Sequence, residues 1–362
     1  MYFEKYGMKY WDDFERRASE CVKCILNNEY PPIRRISIHI TNICNFKCQY
    51  CNEYHQTKTM EFQMYSKIIR EYSEIGGGII HITGGEPSTI KNFMDYITES
   101  SKYNNIDFHL NTNLYRNVIP DDLFKIIKRL KVSLDTSDAN YFNHICGVKN
   151  AFEKVTENLD YIHDLIKRGI TDTLVSLTYT VTRQNFRLIL GFLRMYYKRW
   201  PKFYATFFSS YKGINSNFVF QDSEIEELFN VIVPKMNEMT NQYNDHETKM
   251  LFNMSHGKET FIQGDRFPNN SKIPCYLCLS EMCIDEDGYI WNCSHLFRDK
   301  IPNTGLNVMD DHLSSVAKQA KRGISIPVSP KCLYGCNKKL MTYNMKVHEN
   351  LQFIIGLYFN LY

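Results

Sequence analysis

Apolar residues recur along the chain with two different periods, and the two periods alternate. Ile36, Ile38 and Ile40 are separated by single polar residues, which is the period of a β-strand. In residues 60–75 the apolar side chains recur every three or four positions, as on one face of a helix, and Gly76 follows. The same patterns predict further strands at 79–83, 106–110, 130–134, 174–181 and 203–208, and further helices at 88–100, 121–129, 149–168 and 185–197. This part of the chain therefore contains about six strand-then-helix units.

Alternating strands and helices predict a parallel sheet with helices packed outside it. Six units are two fewer than a closed eightfold barrel needs, so we expect an α/β fold built on a partial (β/α)6 barrel of the TIM type, followed by a small cysteine-rich C-terminal domain. In such barrels the functional residues lie on loops that follow the carboxyl ends of the strands. Polar motifs after these strands are therefore the first candidates for a site.

The limits of this alternation predict the organisation of the chain. Five regions result: a helical segment at 1–32, the partial barrel at 33–212, a helical connector at 213–272, a cysteine-rich domain at 273–340 and a tail at 341–362. The connector helix at 222–242 is expected to bend at Pro234, because proline lacks the N–H that a helix interior uses. The tail is apolar but too short to cross a bilayer, so we expect a docking segment or a final core helix.

Composition narrows the class of protein. With 362 residues, of which 43% are hydrophobic and 23% charged, the chain is typical of a globular protein. The net charge of +3 is too small to indicate a nucleic-acid partner, and no apolar run is long enough for a membrane helix. The opening residues lack the apolar core of a signal peptide. Twelve cysteines in tight pairs and triples, without an export signal, indicate metal binding in the cytoplasm.

Three of these cysteines stand on one loop directly after the first strand. The segment TNICNFKCQYC places Cys44, Cys48 and Cys51 in a C-x3-C-x2-C arrangement. Three thiolates can each hold one iron of a cubane cluster and leave the fourth iron open for a small chelating ligand. This spacing resembles the signature of the radical S-adenosylmethionine superfamily, and the resemblance covers about residues 33–212 by element order. The alternative is a structural zinc site, in which His55 would be a fourth ligand.

The resemblance implies a cofactor and a reaction. In that family a [4Fe-4S] cluster chelates S-adenosylmethionine, and one electron, supplied by a donor such as flavodoxin or ferredoxin, cleaves the cofactor to a 5′-deoxyadenosyl radical that takes hydrogen from a substrate. The cofactor performs the difficult step, and the protein supplies position and a dry cavity.

Further motifs follow the next strands and resemble cofactor-binding segments of the same family. Gly84, Gly85, Glu86 and Pro87 match the GGEP motif that holds the amino group of the cofactor, since glycines permit close approach and an acid can meet an ammonium group. The other matches are Thr112 and Asn113, where Leu114 replaces the usual glycine, Ser133 and Asp135 opposite the ribose and carboxylate, Tyr50 near the adenine, and the stretch 182–185 along the adenine pocket. A plain strand-to-helix turn or core packing is the alternative for each motif taken alone.

A second group of cysteines lies near the end of the chain and resembles the twitch domain, a shortened SPASM domain, over about residues 273–340. Asp287-Gly288 predicts the turn of a hairpin. The resemblance implies an auxiliary [4Fe-4S] cluster held by Cys278, Cys293, Cys332 and Cys336. With a two- or four-residue turn, Cys283 would point away from the face that holds Cys293, which favours Cys278; an odd turn would reverse this. Cys275 is a further alternative, and zinc is the alternative metal.

The remaining candidates carry weaker signals. Cys21 and Cys24 form a C-x2-C pair on a predicted helix without a visible partner pair, so we assign them a structural role. Cys146 is more typical of an ordinary buried thiol than of a catalytic one. Asp135, Cys146, Asp285 and several tyrosines could exchange hydrogen with substrate or product, and none stands out, so the catalytic residue stays unassigned.

The family resemblance favours a radical enzyme that modifies a peptide or protein side chain, because relatives with such C-terminal domains often act on peptides. Cross-linking, oxidation and epimerisation are among their reactions. A second enzymatic hypothesis is oxidation or rearrangement of a small molecule such as an amino sugar. A hypothesis of another class is a non-catalytic iron–sulfur or zinc binding module. The GGEP segment argues against it, because a metal scaffold has no use for an ammonium-binding loop.

Overall fold

The structure is a computed structural model. It describes residues 14–51, 57–117, 119–211, 215–248, 275–292, 297, 303–322 and 338–359. Its strands are β1 Arg35–Thr41, β2 Gly78–Gly84, β3 Ile106–Thr112, β4 Ile127–Ser133, β5 Leu174–Val181, β6 Ala205–Ser210, β7 Glu281–Ile284 and β8 Ile290–Trp291. Its α-helices are α1 Phe14–Leu26, α2 Phe62–Glu74, α3 Phe93–Ser101, α4 Ala139–Cys146, α5 Ala151–Lys167, α6 Ile189–Arg199, α7 Asp222–Glu227, α8 Val233–Gln242, α9 Leu313–Arg322 and α10 Lys338–Phe359.

The strands form one mainly parallel sheet in the order β6-β5-β4-β3-β2-β1-β7-β8. From β1 to β6 each strand pairs in parallel with the next one along the chain, as expected for successive βα units. The predicted α/β fold, a partial barrel with helices packed outside it, is confirmed. Because all six strands run the same way, the segments that follow β1 to β4 meet at one edge of the sheet.

The cysteine-rich C-terminal region adds to this sheet. Strand β7 pairs in parallel with β1, with Arg35 opposite Glu281 and Ile38 opposite Ile284, and β8 pairs antiparallel with β7. The predicted hairpin around Asp287-Gly288 is therefore present, and it covers the edge of β1 that would otherwise be open.

One predicted helix is wrong. Residues 121–129 contain only a 3₁₀ turn at Leu123–Lys125, and β4 already begins at Ile127. Ile127 pairs with Phe108 of β3, and the register then slips by one residue before Arg129 pairs with His109. Ladder hydrogen bonds to a neighbouring strand outweigh local helix propensity in such a short segment.

The helix predicted in the connector is interrupted as expected. Helix α7 is followed by a π-helical turn at Leu228–Ile232, and Pro234 stands in the first turn of α8. A proline at that place removes a donor that the preceding turn would have used, and the wider turn accommodates the loss.

Two apolar clusters hold the fold together. The larger one joins the sheet to the barrel helices, α7, α8 and α9. The smaller one joins α1 to α10 through Cys21, Val22, Tyr343 and Val347, together with Tyr276. Residues 341–359 of the tail predicted as a docking segment or core helix belong to α10, which packs on the first helix. No helix in the part of the chain that the structure describes is long and apolar enough to cross a membrane.

Candidate functional site

The loop that carries the three cysteines leaves β1 at the carboxyl edge of the sheet. Cys44 and Cys48 are half-buried and Cys51 is exposed. The loop is held by the last turn of α4, because Lys47 N donates to the Cys146 carbonyl at 2.9 Å and Gln49 N donates to the Ile145 carbonyl at 3.1 Å. A helix end leaves carbonyl groups without intrahelical partners, and here the cysteine loop supplies the donors.

Gly84 and Gly85 allow β2 to end against the cysteine loop. Gly85 N donates to the Thr41 carbonyl at 2.6 Å and Glu86 N donates to the Ile43 carbonyl at 2.8 Å. A Cβ atom on Gly84 would lie 2.2 Å from Thr41 O, and one on Gly85 would lie 2.2 Å from Ile43 O. Gly84 also has a φ of +127°, which favours glycine. The glycines therefore permit a close approach to the protein backbone itself, at the start of the cysteine loop.

The carboxylate of Glu86 is buried and joins β2 to β3. It accepts hydrogen bonds from Ser88 N at 3.1 Å, Ser88 Oγ at 2.6 Å, Thr112 Oγ1 at 2.7 Å and Asn113 N at 2.6 Å. Burial raises the pKa of Glu86, and these hydrogen bonds oppose the shift. An ammonium group that approaches this turn would meet a carboxylate fixed by four donors, with Pro87 buried beside it.

Thr112 is the last residue of β3, and Asn113 directly follows it. Asn113 Nδ2 donates to Asn45 Oδ1 at 2.7 Å and thereby links β3 to the cysteine loop. Leu114, which stands at the glycine position of the related motif, has a φ of +55° and is 1% exposed. The left-handed backbone typical of glycine is thus retained with a buried leucine in its place.

Asp135 and Tyr50 meet at the next strand end. The Tyr50 hydroxyl donates to the Asp135 carboxylate, which also accepts from Thr180 N at 2.6 Å. Burial raises the pKa of Asp135 to about 6, while the hydrogen bonds from Tyr50 and Thr180 oppose the shift. Ser133 is exposed, and its hydroxyl accepts from Thr178 Oγ1 at 3.4 Å. Tyr50 and Asp135 therefore form a linked pair, with Ser133 open to solvent beside them.

In the stretch 182–185, the side chain of Asn185 forms hydrogen bonds that stabilise the backbone at this end of the sheet. Asn185 Nδ2 donates to the Asp135 carbonyl at 3.1 Å and to the Thr180 carbonyl at 2.9 Å. Asn185 Oδ1 accepts from Thr182 N at 2.8 Å. Because Asn185 is fully buried, its amide supports the backbone around Asp135.

The three thiols of the loop are not grouped as for a single metal ion in the described structure, and the surroundings of Cys44 and Cys48 disfavour the thiolate. Burial raises the pKa of Cys44 to about 11, and Glu86 adds to this shift. Burial also raises the pKa of Cys48, with Asp135 as the next contribution. Such thiols become thiolates only when a cation shares the site. The buried Asn45 Nδ2, between Cys44 and Phe46, has no hydrogen-bond partner in the described structure, as expected where a ligand with an acceptor atom would sit.

Two site residues were not identified from the sequence. Asn45 lies within the cysteine motif, and its place between two ligands could have indicated it. Phe218 belongs to the connector, where no motif marks it. Its ring meets Tyr50 edge to face at 6.0 Å between centroids and also contacts Tyr211 at 5.6 Å. The connector thus contributes one wall beside the aromatic residue of the cysteine loop.

The C-terminal candidates are only partly within the described residues. Cys293, Cys332 and Cys336 lie outside them, as does His55. Cys278 is 7% exposed, and its Sγ lies 2.8 Å from the Cys275 carbonyl. Among the residues that the structure describes, no three His, Cys, Asp or Glu side chains are grouped as for a single metal ion.

The hairpin register differs from the one that favoured Cys278. Cys283 pairs with Trp291 and Ile284 with Ile290, so five residues connect the paired positions. This is the odd register, which reverses the predicted direction of Cys283 and removes the reason for preferring Cys278 over it. Lys321 was not singled out in the sequence. It is buried, and its ammonium donates to the carbonyl oxygens of Cys278 and Glu281, the latter at 2.7 Å.

The weaker candidates have structural surroundings. Cys21 packs in the cluster between α1 and α10. Cys146 is 1% exposed at the end of α4, directly beneath the cysteine loop. Asp285 accepts from Asp287 N, Tyr289 N and Trp291 Nε1 at 2.8 to 3.1 Å, so its carboxylate shapes the hairpin turn.

Curated relatives match only part of the chain. The protein named GTP 3',8-cyclase of Actinobacillus pleuropneumoniae serotype 5b is 28% identical over 144 residues, which are 37% of this chain and 42% of that protein. The same name belongs to a Shewanella denitrificans protein that is 33% identical over 133 residues, 34% of this chain and 39% of that protein. The chain thus spans less than half the length of these relatives.

Solved structures match most of the chain. Streptococcus suis SuiB bound to precursor peptide SuiA has a TM-score of 0.59 at 15% identity, covering 89% of this chain and 73% of that one. Native anSMEcpe with bound AdoMet and Cp18Cys peptide has a TM-score of 0.60 at 17% identity, covering 92% and 100%. These likenesses concern the fold. The family model described as Radical SAM superfamily matches residues 38–190, so the segment that carries the cysteine loop, the two glycines and the Asp135 strand end is similar to that superfamily.

Proposed function

We propose that this chain is a radical S-adenosylmethionine enzyme that modifies a peptide or protein side chain. The observation that carries the proposal is the meeting of four strand ends. The loop of Cys44, Cys48 and Cys51 touches the Gly84-Gly85 turn, Asn113 and the Asp135 strand end, all within the segment that matches the Radical SAM superfamily. A loop that served only to bind metal would not require these three polar neighbours.

The residues divide into those that hold the cluster and those that hold the cofactor. Cys44, Cys48 and Cys51 are the proposed ligands of a [4Fe-4S] cluster. When bound, the cluster and S-adenosylmethionine supply the reductive formation of a 5′-deoxyadenosyl radical, with the electron coming from a donor such as flavodoxin or ferredoxin. The proposed cofactor contacts are Tyr50, Gly84, Gly85, Glu86, Pro87, Thr112, Asn113, Ser133 and Asp135.

The chain's own contribution is to position these groups. Glu86, fixed by four donors, offers negative charge beside the cysteine loop to an ammonium group. Ser133 offers an exposed hydroxyl, and the Tyr50–Asp135 pair fixes the loop against β4. Side chains that these contacts hold in place lose less conformational entropy when a ligand binds.

The direct test is anaerobic incubation of reconstituted protein with dithionite and S-adenosylmethionine, followed by chromatography for 5′-deoxyadenosine. We expect product from the wild type and none from Cys48→Ala. Cys24→Ala, on α1 and outside the proposed site, is the matched control and should retain the product. Absence of 5′-deoxyadenosine from wild-type protein with a full complement of iron would contradict the proposal.

The peptide assignment is supported by the fold neighbours. SuiB bound to precursor peptide SuiA and anSMEcpe with bound Cp18Cys peptide both align with about nine-tenths of this chain. The test is 5′-deoxyadenosine formation in the presence of short peptides encoded beside the gene. We expect a faster rate and a mass change in one peptide; no response to any of them would reject the peptide as substrate.

A second candidate substrate is a nucleotide, because the curated relatives are named GTP 3',8-cyclase. Their alignments cover 37% and 34% of this chain, which leaves most of it unmatched. Incubation with GTP under the same conditions separates the two candidates. Faster 5′-deoxyadenosine formation with GTP, and none with peptides, would favour the nucleotide.

We further propose an auxiliary [4Fe-4S] cluster held by Cys278, Cys293, Cys332 and Cys336, with Cys275 and Cys283 as alternatives to Cys278. Iron analysis tests it: we expect about eight iron atoms per chain in the wild type and about four when Cys44, Cys48 and Cys51 are all alanine. Single alanine variants at 275, 278 and 283 identify the fourth ligand. Four iron atoms in the wild type would exclude the second cluster.

A further inference from the structure

The chain leaves the barrel for the cysteine loop at Asn42 and pairs with itself again at Lys58. Asn42 N donates to the Lys58 carbonyl at 3.1 Å, and Lys58 N donates back to Asn42 Oδ1 at 2.9 Å. Beside them, Thr41 pairs antiparallel with Thr59, and the two hydroxyl oxygens lie 2.9 Å apart. Asn42 is 7% exposed, so its backbone and its side chain both form hydrogen bonds in a buried place at the start of the loop.

The turn of the C-terminal hairpin, residues 285–288, lies against this start of the loop. Asn42 Nδ2 donates to Glu286 Oε1 at 2.6 Å, and Lys58 Nζ lies 2.5 Å from Asp287 Oδ2. The Lys58–Asp287 pair is about half exposed on both sides, and exposed pairs contribute little. The other contact joins a buried amide to a half-buried carboxylate, and hydrogen bonds to an ionised acceptor are stronger than neutral ones. Glu286 therefore makes the more important of the two contacts.

The turn that carries Glu286 is itself fixed. Asp285 Oδ1 accepts from Asp287 N at 3.1 Å, and the Asp285 carbonyl accepts from Gly288 N at 3.0 Å. A Cβ atom on Gly288 would lie 2.8 Å from Met64 Sδ, so the turn packs directly on α2. The Glu286 carboxylate is thus offered to the loop from a turn with a defined backbone and a defined neighbour.

The contacts continue from Asn42 to the glycine turn after β2. The Thr41 carbonyl accepts from Gly85 N at 2.6 Å, and the Ile43 carbonyl accepts from Glu86 N at 2.8 Å. These two carbonyls belong to the residues on either side of Asn42. A displacement of Asn42 would therefore shift both carbonyls, and with them the position of the cysteine loop relative to the glycine turn.

We propose that Glu286 is a positioning residue of the radical site: through Asn42 it holds the start of the cysteine loop against the Gly84-Gly85 turn. This inference rests on the proposed function, because only there do the loop and the turn hold a cluster and S-adenosylmethionine. The C-terminal region would then contribute to the affinity for the cofactor through a residue that is not one of the proposed cofactor contacts.

The test exchanges donor and acceptor at this contact. Asn42→Asp places two carboxylates against each other, whereas Asn42→Asp combined with Glu286→Gln restores one donor and one acceptor and leaves an oxygen for Lys58 N. Electron paramagnetic resonance of the dithionite-reduced cluster, in full-length reconstituted protein, measures binding of S-adenosylmethionine. We expect at least fivefold weaker binding in Asn42→Asp and an affinity within twofold of the wild type in the double variant. Asp287→Asn, which changes only the exposed pair, is the matched control and should bind as the wild type does.

Thermal unfolding of the same proteins separates positioning from stability. If Asn42→Asp lowers the thermal midpoint but the folded protein binds S-adenosylmethionine with the affinity of the wild type, the inference is overturned. Should Asn42→Asp not fold, Glu286→Met takes its place, because it removes the acceptor without adding a charge. At least threefold weaker binding is expected from Glu286→Met, and wild-type affinity would likewise overturn the inference.

Thiol alkylation of the full-length protein before reconstitution reports on the loop without the cofactor. We expect iodoacetamide to modify Cys44 at least threefold faster in Asn42→Asp and Glu286→Met than in the wild type, with Cys24 on α1 as an unchanged internal control. Equal rates at Cys44 would contradict the inference. Wild-type protein that contains the cluster but does not bind S-adenosylmethionine contradicts the proposed function itself, whereas equal binding by the wild type and all variants contradicts only the role of Glu286.

Discussion

At the scale of single residues, Leu114 combines two properties that normally exclude each other. It is buried, yet its φ of +55° lies in the region that costs a residue with a Cβ about 1–2 kcal/mol. We expect Leu114→Gly and Leu114→Ala both to be destabilised, since each loses a buried side chain. Glycine should nevertheless be the more stable of the two by about 1 kcal/mol in urea unfolding, because it alone relieves the backbone strain.

Leu110 is the control for this ordering. It is also 1% exposed, but it lies within β3, where its backbone is extended. At that position alanine should be more stable than glycine, the usual order in a strand interior. If alanine were also the better residue at 114, the left-handed conformation would carry no strain there.

Glu86 gives a second prediction at this scale. All four groups that reach its carboxylate are donors, so Glu86→Gln would place an amide NH2 against a donor in a buried site. We expect a loss of about 1–3 kcal/mol in the free energy of unfolding, measured in urea.

Glu99→Gln serves as the comparison for Glu86. Glu99 is 5% exposed, but its donors are the Ser66 hydroxyl and the Lys102 ammonium, which can turn away. We therefore expect Glu99→Gln to lose less free energy of unfolding than Glu86→Gln. Equal losses in the two variants would mean that the backbone donor at Asn113 and the fixed geometry around Glu86 have no special importance.

The sequence predicted which residues stand at the strand ends, but not which neighbours they contact. Gly84 and Gly85 were expected to approach a ligand, and their nearest partners are the carbonyls of Thr41 and Ile43. Leu114 replaces the glycine of the related motif, and its backbone keeps the left-handed conformation typical of glycine. Motifs specify residue types at strand ends, whereas hydrogen-bond partners depend on packing between segments that are far apart in sequence.

At the scale of elements, Glu71 joins α2 to α9. Its Oε2 accepts from Lys67 Nζ at 2.9 Å and from Leu313 N, at the start of α9, at 2.7 Å. Burial alone would raise the pKa of Glu71, but the hydrogen bonds from Lys67 and Leu313 outweigh it and leave the pKa below its ordinary value. The carboxylate therefore stabilises the folded chain above the unfolded pKa, and this contribution is lost as pH falls through the lower folded pKa.

From this sign we expect Glu71→Gln to reduce the free energy of unfolding at pH 7 by about 1–3 kcal/mol, with a smaller difference from the wild type at pH 4. Urea unfolding at both pH values measures it. Glu74→Gln, an exposed position on the same helix that pairs with Arg70 and His312, should change stability little at either pH. If the difference in the free energy of unfolding between Glu71→Gln and the wild type were as large at pH 4 as at pH 7, the ionised Glu71 carboxylate would not be the source of the stabilisation.

The order of the elements was predictable, because the alternation of apolar and polar residues marks each strand. The structure of the short connections was not predictable. The helix expected at 121–129 is replaced by a turn and an early start of β4, since pairing with β3 extends the strand. The hairpin at Asp287-Gly288 was predicted and is present, yet its register was not. A two-residue and a five-residue connection share the same turn signal, and only the pairing of Cys283 with Trp291 distinguishes them.

At the scale of the whole molecule, the C-terminal region contacts the barrel through β7 and the turn after it, in addition to the contact of α9 with Glu71. Strand β7 extends the sheet beyond β1, and Arg34 N donates to the Ser280 carbonyl at 2.7 Å. The turn after β7 reaches the cysteine loop, since Asn42 Nδ2 donates to Glu286 Oε1 at 2.6 Å and Lys58 pairs with Asp287 at 2.5 Å. No local sequence pattern indicates a contact between residues more than two hundred positions apart, so the pairing of the C-terminal region with the barrel could not be predicted.

The pairing of β7 with β1 implies that the stability of the barrel depends on the C-terminal region. A chain that ends at residue 274 would leave the edge of β1 without β7, and an open edge with buried isoleucines favours self-association. A chain that ends at residue 322 keeps β7 on β1 and loses α10 instead. We expect hydrogen exchange followed by mass spectrometry to show β1 amides exchanging faster in the first variant, which should also form oligomers, and protected in the second. Equal protection of β1 in both chains would mean that the partial barrel closes its own edge.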